Sequence, residues 1–153
     1  MAYATFNKPS LHFNTKTFTG NGSGASVTGV GFQPDMIWIK HQTDVSDHIL
    51  TDVVRGVTKY VRPNATDAET TNAQSITAFG TDGFTYGTLG DIAANGNVCS
   101  WNWKAANAQG SSNTDGSINT TYTSVNTAAG FSISTYTGNG SNGATVGHGL
   151  GAE

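Results

Sequence analysis

Charge is scarce in this sequence. Asp, Glu, Lys and Arg make up 11% of its 153 residues, well under the quarter typical of soluble domains, and the formal net charge is −3. The cations Lys40, Arg55, Lys59 and Arg62 are scattered among carboxylates. No basic stripe exists to follow a phosphate backbone, and a nucleic-acid partner is not expected. Cysteine is reduced to Cys99, so an intrachain disulfide is excluded and stability has to come from burial or subunit contacts. No apolar run approaches the roughly 18 residues of a membrane helix, and Met1-Ala2-Tyr3-Ala4-Thr5-Phe6 lacks the basic flank and apolar core of a signal peptide. Membrane insertion and Sec export are not expected. Helical periodicity is nearly missing too, because Gly or Asn interrupts almost every window of about a dozen residues.

What is present is Gly, Thr, Asn and Ser around short apolar segments. Strict alternation marks strands at Phe84-Thr85-Tyr86-Gly87-Thr88 and Phe131-Ser132-Ile133-Ser134-Thr135-Tyr136, with Phe131 and Ile133 on the core side. Met36-Ile37-Trp38-Ile39 is continuously apolar, the pattern of a strand covered on both faces. Val98 to Lys104 alternates so that Cys99, Trp101 and Trp103 share one face, which hydrophobicity assigns to the core, with Ser100, Asn102 and Lys104 outside. Asn21-Gly22, Asn95-Gly96, Asn139-Gly140 and Asn142-Gly143 supply turns, and Thr81-Asp82-Gly83 reads as another between Ile76-Phe79 and Phe84-Thr88. The one helical turn expected is Asn64 to Glu69, with Asp67 and Glu69 near its start. These elements predict an all-β fold, an antiparallel β-sandwich of jelly-roll type in preference to a barrel. It divides into an N-terminal arm (1–12), a sandwich (13–105), a Ser/Thr/Asn/Gly-rich linker (106–130) and an incomplete second module (131–153).

The second module is inferred from a repeat. Thr17-Phe18-Thr19-Gly20-Asn21-Gly22-Ser23 returns 118 residues later as Thr135-Tyr136-Thr137-Gly138-Asn139-Gly140-Ser141, and Gly29-Val30-Gly31-Phe32 returns at the same offset as Gly147-His148-Gly149-Leu150. Such a spacing is too long for a solenoid. It points to an extended assembly in which Phe131, Ile133 and Tyr136 are candidates for an intersubunit strand.

Residues for chemistry are sparse. His41-Gln42-Thr43-Asp44-Val45-Ser46-Asp47-His48, with Asp52, is the densest polar cluster, but it matches no metal-ligand spacing and reads better as a loop joining two strands. Cys99 beside two tryptophans reads as a structural thiol. No Gly-x-Ser-x-Gly elbow is present, Gly20-Asn21-Gly22-Ser23-Gly24 lacks the Lys of a phosphate loop, and Asp35, Asp52, Asp67, Glu69, Asp82 and Asp91 have no spacing that marks a glycosidase pair. Asp52 and Arg55 are placed for a local ion pair. No catalytic residue, metal or cofactor is expected. Tyr60, Tyr86 and Tyr122 are the candidates for stacking on a glycan or partner.

The repeated Thr-Gly-Asn-Gly-Ser, together with Gly29 to Lys40, Asp52 to Lys59, Phe79 to Thr85 and Trp101 to Ala105, resembles a module repeated, often in tandem, in tail-fibre-like and other virion proteins of marine bacteriophages. The resemblance covers nearly all of residues 11 to 153. It implies a non-enzymatic virion component of the tail or fibre, assembled in the host cytoplasm. Such a component would be a homo-oligomer, preferentially a trimer, contacting other virion proteins and a host-surface glycan. A carbohydrate-binding module and a capsid decoration protein are the alternatives, and a sandwich-type glycoside hydrolase ranks last.

Overall fold

Two antiparallel sheets are packed face to face in the computed structural model, which describes residues 8–151. Tyr3 and Phe6 of the expected arm lie outside the described residues. The larger sheet has the order β1-β9-β3-β4 and the facing sheet the order β2-β8-β7. Their strands are β1 (Phe13–Gly20), β2 (Ala25–Val27), β3 (Met36–His41), β4 (Ile49–Asp52), β7 (Ile76–Gly80), β8 (Gly83–Tyr86) and β9 (Gly96–Trp103). Two short ribbons flank them: β5 (Lys59–Tyr60) with β6 (Thr70–Thr71), and β10 (Tyr122–Asn126) with β11 (Phe131–Thr135). The chain is an all-β sandwich.

The core lies between the sheets. Ile37, Ile39, Ile49, Val98 and Phe18 from one sheet meet Val27, Ile76, Phe84 and Tyr86 from the other, with Tyr60 and Ile92 closing the ends. Phe18 packs across the gap on Phe84 and Tyr86, at 6.1 and 5.4 Å between ring centroids. Each fully buried Ile or Phe contributes about 1.5–3 kcal/mol by leaving water.

Strand β9 is turned opposite to the expectation. Val98, Ser100 and Asn102 face inward, and Cys99, Trp101 and Trp103 face outward and remain partly exposed. Val98 decides this. It is opposite Phe18 on β1 and joins Ile37 and Ile39 in the core, and alternation then carries Ser100 and Asn102 to its side. Their donors are satisfied there, while Asn102 Oδ1 stays buried without a partner among the described residues: Asn102 Nδ2 donates to Asn14 O at 3.1 Å and Ser100 Oγ at 3.1 Å, and Asn14 Nδ2 donates to Val30 O at 2.8 Å. Likewise β3 buries Ile37 and Ile39 on one face and leaves Met36 and Trp38 partly exposed on the other, so it is not covered equally on both sides.

The expected linker is tied down along its length. Asp35, fully buried, accepts the Ala105 and Asn107 N–H groups at 2.6 and 2.8 Å. Gln109 Nε2 donates to Val54 O at 2.9 Å, and Ser111 bridges Thr123. At Gly110 (φ +82°) a Cβ would stand 1.9 Å from Thr123 O. β10 falls within this span and pairs with β11, whose Ile133 packs with Val53, Val54 and Ala105. The candidate intersubunit strand therefore has one partner inside its own chain. Residues 64–69 are not helical, because Asp67 is drawn to Arg62 and Glu69 to Arg55 and Lys59. The described α-helical turn is α1 (Gly90–Ala93).

Asp82, at the β7–β8 turn, accepts the Gly29 and Gly31 N–H groups at 2.9 and 2.7 Å. Those two bonds, which favour the charged form, hold its carboxyl below the ordinary value of 3.8. A carboxylate depressed in the folded state adds stability above its unfolded pKa and loses it as pH falls through the folded value. Asp82→Asn is therefore expected to lower Tm at neutral pH, with the gap to the parent closing on acidification below about pH 4. Thermal scans over pH 2–7 read this, and a gap that widened in acid would contradict it.

Candidate binding face

The outward turn of β9 creates the most distinctive surface of the molecule. Register puts Trp101 between Trp38 on β3 and Thr15 on β1, and Trp103 between Met36 and Phe13. Trp38 and Trp101 have ring centroids 6.2 Å apart with planes inclined at 60°. They form, with His48 and Trp103, a cleft of about 260 Å³. On the other side of Trp103 lies a second cleft of about 340 Å³, bounded by Pro9, His12, Phe13 and Phe131. Phe13 tilts on Trp103 at 5.0 Å and Phe131 stacks on it at 6.3 Å and 21°. Trp103 is the shared wall of an aromatic track along one sheet face.

The cleft is held rigidly by polar groups behind it. Trp38 Nε1 donates to His48 Nδ1 at 2.9 Å. An indole N–H only donates, so Nδ1 is an acceptor and the proton of neutral His48 sits on Nε2. The His48 N–H donates to Asn64 Oδ1 at 2.9 Å, and Asn64 Nδ2 donates to Asp47 Oδ1 at 2.9 Å. Asp47, Asp67 and Asp91 converge on the Arg62 guanidinium at 3.2, 3.6 and 3.5 Å, and Arg62 lies over the Tyr60 ring at 5.4 Å. This network anchors the β3–β4 loop and fixes the ring that orients Trp38.

The residues expected to stack on a ligand are elsewhere. Tyr60 and Tyr86 are core residues with 1% and 2% exposure, and burial pushes the Tyr86 hydroxyl pKa up. Neither ring face is open to a glycan, which corrects that assignment. Tyr122 and Tyr136 are exposed, on or just after the β10–β11 hairpin and away from the tryptophan cleft. The His41 to His48 segment is the β3–β4 connection: His41 Nδ1 accepts the Asp44 N–H at 3.0 Å and its Nε2 faces Ala94 O at 3.1 Å. Among the described residues no three His, Cys, Asp or Glu side chains are grouped to hold a metal. The Asp52–Arg55 ion pair is formed as its spacing indicated. Cys99 is partly exposed on the aromatic sheet face, and desolvation raises its thiol pKa.

Sequence reasoning missed the tryptophans as surface residues, although Val98 carried the necessary signal. An unambiguous core residue on one parity of β9 sends Trp101 and Trp103 to the other side.

Fold and face together define an all-β sandwich domain with an aromatic track on its larger sheet. A family model described as a domain of unknown function, DUF7483, matches residues 8–153, and the chain belongs to that family. No curated protein and no solved structure matches it.

Proposed function

We propose that this chain is a structural module of a bacteriophage virion, of tail-fibre type, that holds a neutral glycan of the host surface along its tryptophan face. The observation that carries the glycan reading is the pair of aromatic-walled clefts on either side of Trp103. A pyranose presents an axial C–H face that packs against an indole ring, whose electron-rich face attracts those hydrogens. Hydroxyls at the ring edge then need a few fixed donors and acceptors. His48 Nε2–H is such a donor, and Thr15 and Thr17 expose hydroxyl side chains along the β1 edge of the same face. None of the four residues around the first cleft is Asp, Glu, Lys or Arg, which favours an uncharged sugar. Two adjoining clefts favour an oligosaccharide over a single ring. The virion context rests on the resemblance of the motif series and on the internal repeat.

The test is a glycan array carrying bacterial-surface and algal oligosaccharides, followed by calorimetry with the best ligand. Binding of neutral oligosaccharides of three or more residues is expected. Retention of none, or of charged polysaccharides alone with affinity that collapses in salt, contradicts the reading.

A further inference from the structure

The repeat extends into strand β11 and specifies what its open edge fits. At the 118-residue offset Phe131 corresponds to Phe13, so β11 is a second copy of β1. The turns that follow are alike: the Ser23 N–H donates to Asn21 Oδ1 at 3.0 Å, and the Ser141 N–H to Asn139 Oδ1 at 2.9 Å. Gly22 and Gly140 have φ of 77° and 72°. Both phenylalanines pack on Trp103.

In an antiparallel strand, successive residues direct their backbone groups to opposite edges. On the β1 side, the Lys104 N–H donates to His12 O at 2.9 Å, in register with the Phe13–Trp103 pair, so even-numbered residues of β1 address β9. On the β10 side, the Thr123 N–H donates outward to Ser111 O at 2.7 Å, so Tyr122, Ser124 and Asn126 address β11, and their partners Thr135, Ile133 and Phe131, all odd-numbered, address β10. The offset is even and parity is preserved. β10 therefore covers the edge that is free in β1, and the edge corresponding to the β9 side of β1 has no strand on it among the described residues.

We infer that this open edge receives strand β9 of a second copy of the module, with β11 standing where β1 stands. Main-chain hydrogen bonds supply the attraction, and the Phe–Trp contact supplies the register. Because β9 of an intact copy is flanked by β1 and β3, β11 enters by displacing β1, an edge strand with one face exposed. The contact is head-to-tail and propagates copies into a chain. In the receiving copy it sets Phe131, Ile133 and Thr135 beside the tryptophan face in place of Phe13, Thr15 and Thr17.

The sole cysteine supplies the test. Thr17 is opposite Cys99, and by the same parity it is a non-hydrogen-bonded pair, with an expected Cα separation of about 4.5 Å that suits a disulfide. Thr135 occupies the Thr17 position in the second copy. Thr135→Cys, oxidised and run on a non-reducing gel, is expected to give dimers and higher species whose disulfide peptide joins position 135 to Cys99 of another chain. Thr137→Cys, whose counterpart Thr19 faces Asn97, is expected to give no such link. The inference is overturned if Thr135→Cys stays monomeric, if its link to Cys99 is intrachain, or if the covalent dimer persists when Cys99→Ser is added, which would join two β11 edges directly.

Discussion

Trp101→Ala is expected to weaken glycan binding about thirtyfold, a loss of roughly 2 kcal/mol typical of a central aromatic anchor, while leaving the fold intact. Trp101 is at the middle of the sheet face, between Trp38 and Thr15, and is partly exposed. Truncation removes the stacking surface and with it one wall of the first cleft. It opens no cavity in the main core, because the side chain points away from Ile37, Ile39 and Val98. Calorimetry with the array-derived oligosaccharide reads the affinity and a thermal scan reads the fold. A parallel loss of Tm and affinity, or unchanged affinity, contradicts this account of the face. His48→Ala is expected to fall between parent and Trp101→Ala, since it removes the donor and frees the Trp38 indole together.

Asp35→Ala has the largest expected effect on stability. Asp35 is fully buried where β3 begins, and its Oδ2 accepts the Ala105 and Asn107 N–H groups while Oδ1 accepts Gln33 Nε2 at 3.0 Å. Burial raises its carboxyl pKa, and the N–H groups of Asn107, Gln33 and Ala105 and the charge of Lys104 oppose that rise. Removing the carboxylate orphans two backbone donors, at about 1–3 kcal/mol each. A loss of about 4 kcal/mol corresponds to a fall in Tm of roughly 8–16 °C for a chain of this size. The β10–β11 hairpin is expected to loosen first, because Ala105 and Asn107 lead into it. Hydrogen exchange at Thr123 and Ser124 reads this directly, and protection equal to the parent's would show that Asp35 does not fasten the two parts.

The architecture was legible where alternation and turn chemistry agreed. Thr81-Asp82-Gly83 joins β7 to β8 as read, and Phe131 and Ile133 face their own cluster. Composition misled in two places. Residues 106–130 contain few large apolar side chains, yet buried Thr120, Thr123 and Ser124 fasten them through hydroxyl bonds, such as Ser124 Oγ to Ala108 O at 2.6 Å. Hydrophobicity scoring has no term for that. The tryptophans of β9 misled in the other direction, because large aromatics were assigned inward while small polar Ser100 and Asn102 filled a tight interior and found partners on β1. The Arg62 hub joins residues 47, 67 and 91, and three carboxylates so far apart in sequence are brought together only by the fold.

The central claim is that the tryptophan face is the ligand surface, and the chain contains three tryptophans, all on it. Their indole N–H resonances are the direct reporters. Titration of the ¹⁵N-labelled protein with the array-derived oligosaccharide is predicted to shift the Trp38, Trp101 and Trp103 signals together, with one dissociation constant, and to leave the Tyr60 and Tyr86 amides unmoved. Shifts confined to Tyr122 and Tyr136, or to no tryptophan at all, would contradict it.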